Sequence, residues 1–420
     1  MRKLFIVFLF YSYLFSSKTI TFNMLLEESL KNNHELLEIE NKQEGLYEDI
    51  RFARIGYVPK LDFNYGIYNA HKGEEESSNN YELDKKLFSV NLSSNILDIS
   101  AIGKKIDVIQ SSIKITNLQK CHVKTKSAMD LLELYTQMYK LKLSLKINKK
   151  LLEYQKMLLD EKKKLYNKGL ESKVNVFLEK NKLNKYNKQI LDEEEKLAIY
   201  TNFLAQETGM KIKTTDPFAP IYNIQSQLDE NMITNTVEDK IIDEKIRKVK
   251  EELEYIKRTN LPSLSIYFNN DFYKNDYKSE YEDSEGRDYR IGLNVKWSLN
   301  NLFSYDHEKR KKILEKKRYK IEKKKLKKKL KRDFLRHKVR VSNHSMYENL
   351  KTKSLEEQLK MIEMNNLLYE NGFNSKHTVI ESKMKFLNEK LALELKEIET
   401  ISAKKHLSLL LEKEDICTHL

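Results

Sequence analysis

A duplication limits this fold more than any other feature. Tyr166, Gly169, Ser172, Lys173 and Val176 recur 203 positions later as Tyr369, Gly372, Ser375, Lys376 and Val379. Pro59, Leu61 and Asn91 recur at the same offset as Pro262, Leu264 and Asn294, with no gap between the first of these and the glycine turn. A chain of 420 residues with this register reads as two equivalent halves rather than two or three unrelated domains.

Each half carries the same order of periodicities. In the first, Leu25, Leu26, Leu30, Leu36, Leu37 and Ile39 mark a helical stripe over 22–55 that ends before Gly56. The period then drops to two. Pro59 opens a segment in which Leu61, Phe63, Tyr65 and Ile67 alternate with polar residues, and Phe88, Val90 and Leu92 answer it after a polar, acidic loop over 71–84. A hairpin over 58–97 follows from that pair. Helical spacing resumes over 98–165, breaks at Gly169, and returns over 173–208. The second half repeats the plan with a helix from about 237, Pro262 opening a hairpin over 261–300, an acidic loop over 275–288, a long helix over 303–368, the Gly372 turn and a last helix over 375–411. The repeats thus span 18–209 and 236–411, joined by a connector over 210–235 that holds Pro217 and Pro220, and followed by a tail over 412–420. Only ten Gly and four Pro interrupt the chain, so the elements are long; a mean hydropathy of −0.67 leaves much of the helix surface wet. A compact globule is not what such a chain builds.

Arg2 and Lys3, an apolar run from Leu4 to Phe15, and Ser16 and Ser17 have the form of a secretory signal over 1–17. The run is too short to span a bilayer as a helix, which takes about 20 residues. No later run approaches that length, so an exported chain that belongs to a membrane must enter it with β-strands. Cys121 and Cys417 stand far apart and read as neither a disulfide framework nor a zinc site. The net charge of +14 suits an anionic lipid or an acidic partner once export sets nucleic acid aside. The Lys- and Arg-dense stretch over 309–340 reads as a solvated helix face.

Four strands with apolar faces cannot close into a barrel, since the smallest membrane barrels have about 8. Such a chain must oligomerise. Two copies would supply eight strands and three would supply twelve. Helices of about 100 Å at 1.5 Å per residue would then reach far beyond the membrane. Trp297, Tyr57, Tyr65, Tyr68 and Tyr289 suit aromatic girdles.

From Phe22 to Leu411 the chain resembles the TolC family of outer-membrane efflux proteins, on the strand openings Pro59-Lys60-Leu61 and Pro262-Ser263-Leu264 and the turns beginning at Tyr166 and Tyr369. The resemblance implies a mainly α fold with β, in which a long α-helical barrel carries a transmembrane β-barrel of four strands per chain. It also implies a homotrimer set in outer-membrane lipid, and a periplasmic tunnel with an equatorial belt near 209–235 and the C-terminus. Partners would be a periplasmic adaptor (membrane fusion protein) and an inner-membrane transporter, with small molecules or proteins as exported cargo. Tyr166, Gly169, Tyr369 and Gly372 would form the periplasmic tip where the adaptor docks. Family members often carry two acidic residues after the second turn; here Thr378 and Glu381 hold those positions, so one selectivity ring of Glu381 carboxylates is the most the resemblance supports. The family's proline after each second strand is replaced by residues 95–98 and 298–301. No enzyme, cofactor or metal site is expected: His34, His71, His122, His307, His337, His344 and His377 show no metal spacing, and no nucleophile has a neighbouring base. The competing reading is a Lys-rich coiled-coil structural protein that binds an acidic partner without forming a channel.

Overall fold

The duplication governs the element boundaries. The computed structural model of the chain describes residues 19–72, 81–95, 98–220, 236–277, 284–298, 300–411 and 417. Among them stand helices α1 (Phe22–Lys31), α2 (His34–Ile55), α3 (Asp98–Asn167), α4 (Lys173–Thr208), α5 (Val237–Thr259), α6 (Asn300–Glu370) and α7 (Lys376–Leu410). The strands are β1 (Lys60–Lys72), β2 (Tyr81–Asn95), β3 (Ser263–Tyr277) and β4 (Ser284–Lys296). Moving α2, β1, β2, α3 and α4 forward by 203 residues lands on α5, β3, β4, α6 and α7 to within two residues at every end. Among the described residues this correspondence runs from His34 and Val237 onward, before the first strand of each half. The expected signal segment, the loop tips, residues 221–235 of the connector and all of the C-terminal tail except Cys417 lie outside the described residues.

Two boundaries differ from the sequence expectation. The helix expected over 22–55 is two helices, because the Asn32-Asn33 pair ends one and starts the next: the Asn32 N–H donates to the Glu28 carbonyl at 3.2 Å, and Asn33 Oδ1 accepts from the Leu36 N–H at 3.0 Å. The strands also run well into what read as acidic loops, reaching Lys72 and Tyr81 in one hairpin and Tyr277 and Ser284 in the other. A third difference concerns the cysteines, since Cys121 and Cys417 form a disulfide with their Cα atoms 5.2 Å apart.

Contacts gather the chain into two compact units, each drawing on both repeats: the described parts of Met1–Leu37, Lys120–Val237 and Lys327–Leu420 form one, and Glu38–Gln119 with Glu238–Leu326 the other. The second unit holds an antiparallel sheet in the order β1-β2-β3-β4, with β1 and β4 as open edges. Leu61 pairs with Leu92, Leu92 with Phe268 and Phe268 with Ile291, so one face collects apolar side chains across all four strands. That face is bare, with Phe63, Tyr65, Ile67, Ile291, Leu293 and Val295 all exposed. Beside the sheet the helices of this unit follow the same order: Gln43 of α2 donates to Asn117 of α3 at 2.7 Å, Lys104 of α3 meets Glu251 of α5 at 3.1 Å, and Lys312 of α6 meets Glu252 of α5 at 2.6 Å.

The first unit is built on helix hairpins. Ile147, Leu151 and Leu158 of α3 pack with Ile380 and Met384 of α7, burying Leu151 completely. Tyr135 is buried among Phe22 and Phe218 and donates its hydroxyl proton toward the carbonyls of Ile20 and Ala219, which seats the Ile20–Phe218 bridge on α3. Burial pushes the Tyr135 hydroxyl well above the ordinary range, so it stays protonated as a donor.

Candidate functional site

The two glycine turns are the same structure built twice. Gly169 and Gly372 have φ of 74° and 78°, a left-handed conformation in which a Cβ meets its own backbone. Leu170 N–H returns to the Leu165 carbonyl and Gly169 N–H to Tyr166 at 2.9 Å each. Phe373 N–H returns to Leu368 at 2.8 Å and Gly372 N–H to Tyr369 at 3.0 Å. Both close the preceding helix with a Schellman motif, and this is what the Tyr-x-x-Gly spacing encodes. The helix after each turn opens on a serine N-cap: Ser172 Oγ accepts from the Asn175 N–H at 3.2 Å and Ser375 Oγ from the Thr378 N–H at 3.3 Å. Thr378 is thus committed to capping, and its Oγ1 lies 3.0 Å from Ser375 Oγ.

Sequence reasoning missed the side chains that brace these turns. Glu171 accepts from Lys162 Nζ and Asn175 Nδ2 at 2.6 Å each and from the Ser172 N–H at 3.1 Å. These bonds, the Lys162 one foremost, draw its carboxyl down to about 2. At the same offset of 203 the second turn carries Asn365 and Asn374 in place of Lys162 and Glu171, and Asn374 Nδ2 donates to Asn365 Oδ1 at 3.0 Å. Comparing the copies position by position would have found both pairs. Leu170, Phe373, Tyr166 and Tyr369 project from the turns into solvent.

Behind the turns lies a polar groove. Glu179 is buried on α4, where Oε2 accepts from Gln155 Nε2 at 2.5 Å and Oε1 from Lys182 Nζ at 2.9 Å. Burial raises its pKa, but those bonds more than offset it and hold the group charged. Glu381, half exposed on α7, lies 3.4 Å from His377 Nδ1. It lines a cavity of about 680 Å³ with Lys182, Lys185, Lys351, Lys385 and Glu389, so its surroundings are predominantly cationic. Pro59 and Pro262 stand immediately before β1 and β3 as the sequence predicts. Among the described residues no group of three or more His, Cys, Asp or Glu could hold a metal ion.

No protein-family model and no curated protein matches the sequence. Solved structures do match in three dimensions. The outer-membrane channel OprN is 12% identical and superposes with a TM-score of 0.76 over 93% of this chain and 89% of its own. The chain has the outer-membrane channel fold. The CmeC outer membrane channel of Campylobacter jejuni, 14% identical, matches 92% of this chain and 85% of its own at a TM-score of 0.69. The outer membrane protein VceC of Vibrio cholerae, 13% identical, matches 93% and 95% at 0.68. The channel fold thus accounts for nearly the whole chain, at a sequence distance where side-chain function has to be argued locally.

Proposed function

We propose that this chain is an outer-membrane channel-tunnel that passes small molecules or proteins from an inner-membrane pump across the periplasm and outer membrane. The observation that carries this reading is the sheet: four strands of 13 to 15 residues, one face apolar and bare, with both edges open. Strands of 9 to 11 residues suffice to cross a bilayer. Among the described residues no helix is long and apolar enough to do so, and an open edge inside lipid leaves backbone groups without partners, so closure needs further copies. Three copies give the twelve-stranded barrel that the family resemblance implies. A coiled-coil rod would have no use for such a sheet.

The turns at Gly169 and Gly372 form the periplasmic tip in this reading, and the projecting Leu170, Phe373, Tyr166 and Tyr369 offer an adaptor its apolar contacts. Glu381 supplies the acidic ring, in competition with the lysines of its groove. The chain performs no chemistry of its own.

Membrane fractionation, heat-modifiable migration and planar-bilayer conductance test the reading. Outer-membrane recovery with an oligomer that conducts is the expected result, and a soluble monomer without conductance would refute it. For the ring, Glu381→Lys should lower cation preference; unchanged ion selectivity would reject that role.

A further inference from the structure

The net charge of this protein sits in one place. Between Lys309 and Arg332 stand sixteen Lys and Arg against two Glu, a surplus of fourteen that equals the net charge of the whole chain. Every other segment taken together is neutral. The stretch lies on α6, and its part up to Leu326 belongs to the sheet-bearing unit, where α6 is an outer member of the helix order α2-α3-α5-α6. The inward stripe of α6 is occupied, with Lys312 on Glu252 and Lys323 on Asp239 and Asp243. Its opposite face presents Phe303, Arg310, Leu314, Lys317 and Ile321, all exposed.

The other outer helix has the matching face. Leu36, Ile50 and Ala53 turn α2 inward, which sends Glu38, Glu44, Glu48, Asp49, Phe52 and Ile55 outward, all exposed. One outer helix is apolar and acidic, the other apolar and basic.

The duplication supplies a register between them. Inside one chain α3 meets α5 through Lys104 and Glu251. Advancing the first by 203 and setting the second back by 203 gives His307 on α6 opposite Glu48 on α2. Antiparallel helices then bring Phe52 level with Phe303, Glu44 with Arg310 and Lys311, and Glu38 with Lys317. The same transfer turns the β2–β3 pairs Leu92↔Phe268 and Val90↔Asn270 into Val295 with Tyr65 and Leu293 with Ile67, which keeps the apolar face continuous across the two open edges. We propose that α2 of one copy seats on α6 of the next in this register, so that each contact between copies repeats the contact between the halves of one chain. Phe52 and Phe303 supply the apolar seam and Glu38 and Glu44 against Arg310 and Lys317 the charge match. Assembly of this channel is therefore electrostatically keyed. The inference rests on the channel reading above and names the surface by which copies join.

The test uses the full chain in detergent. Arg310→Glu with Lys317→Glu should shift the oligomer toward monomer at least tenfold in concentration, with far-UV circular dichroism unchanged because both side chains are exposed. Adding Glu38→Lys and Glu44→Lys to the same chain should restore assembly. Phe52→Cys with Phe303→Cys should yield covalent oligomers under oxidation. Full assembly of the reversed variant, together with no cross-linking, overturns the proposal; if that chain still inserts and conducts, the channel reading survives. A wild-type chain that neither assembles nor inserts overturns both. A reversed variant that assembles normally but no longer sediments with phosphatidylglycerol vesicles assigns the basic face to lipid and also overturns the proposal.

Discussion

The stacked imidazoles of His337 and His406 should make the helix-hairpin unit acid-labile. Their ring centroids lie 4.4 Å apart at an interplanar angle of 14°, joining α6 to α7, and neither buried Nδ1 has a hydrogen-bond partner among the described residues. Burial, then the neighbouring imidazole and the Arg340 and Arg336 cations, draws His337 down from 6.5 to about 4, with Asp333 opposing. Burial likewise lowers His406, against Asp333, Glu133 and Asp130. A histidine whose pKa is depressed on folding binds fewer protons in the native chain than in the unfolded one between those two values. Stability therefore falls as pH drops below about 6.5 and levels off near 4. At roughly 1.4 kcal/mol per unit, His337 alone accounts for a loss of about 3 kcal/mol across that window. Urea unfolding of the wild type and of His337→Gln, followed from pH 7.5 to 4.5, isolates this from the carboxylates common to both. The gap between the curves should change by up to about 1.4 kcal/mol per pH unit below 6.5, with His406→Gln changing in the same direction. Parallel curves throughout would refute the reasoning.

Three further outcomes follow from packing and covalent structure. Leu151→Ala empties the centre of the α3–α7 cluster and should cost about 2–5 kcal/mol in chemical denaturation, whereas an exposed leucine such as Leu191 should cost under about 1. Gly372→Ala forces a Cβ into φ 78° and should cost about 1–2 kcal/mol, read as lowered protection of the amides at positions 372 and 373 in hydrogen exchange; unchanged protection would contradict the strain. The Cys121–Cys417 bridge closes a span of 296 residues, so no thiol should titrate in the denatured protein before reduction and two after it, and Cys121→Ser should lower the melting temperature.

What the sequence revealed and what it hid have physical reasons. The return helix over 173–208 was legible to the residue because Ser172 and Gly209 bracket it with an N-cap and a left-handed C-cap of φ 67°. The break at Asn32-Asn33 was hidden because Leu30 and Leu36 continue the apolar stripe across it, and periodicity does not see a cap. The strand ends were hidden for the converse reason. Beyond Ile67 and before Phe88 the side chains stop alternating, while backbone pairing continues as far as Lys72 with Tyr81 because a neighbouring strand offers partners whatever the side chains are. The buried Gln155–Glu179 pair was invisible in a helix rich in Lys and Glu, where a carboxylate in water and one facing a buried amide look alike. The Cys121–Cys417 pairing depends on chain return that no local pattern records.

The copies at Tyr166 and Tyr369 share a backbone but not a chemistry, and the difference constrains how either turn could loosen. Lys162–Glu171 ties the first turn with a carboxyl whose pKa is drawn down to about 2 by its bonds to Lys162 and Asn175, so it stays ionised near neutrality. Asn365–Asn374 ties the second with groups that do not ionise. Neither brace can be released by protonation near neutrality, and salt screens only the first. The charge contacts behind the turns lie in the groove where Lys182 binds Glu179 on its own helix and feels the charge of Glu381 on α7. Lys182→Ala should therefore lower amide protection on α4 and α7 in hydrogen exchange while leaving the Gly169 and Gly372 amides as protected as before; loss of protection at those glycines would contradict it.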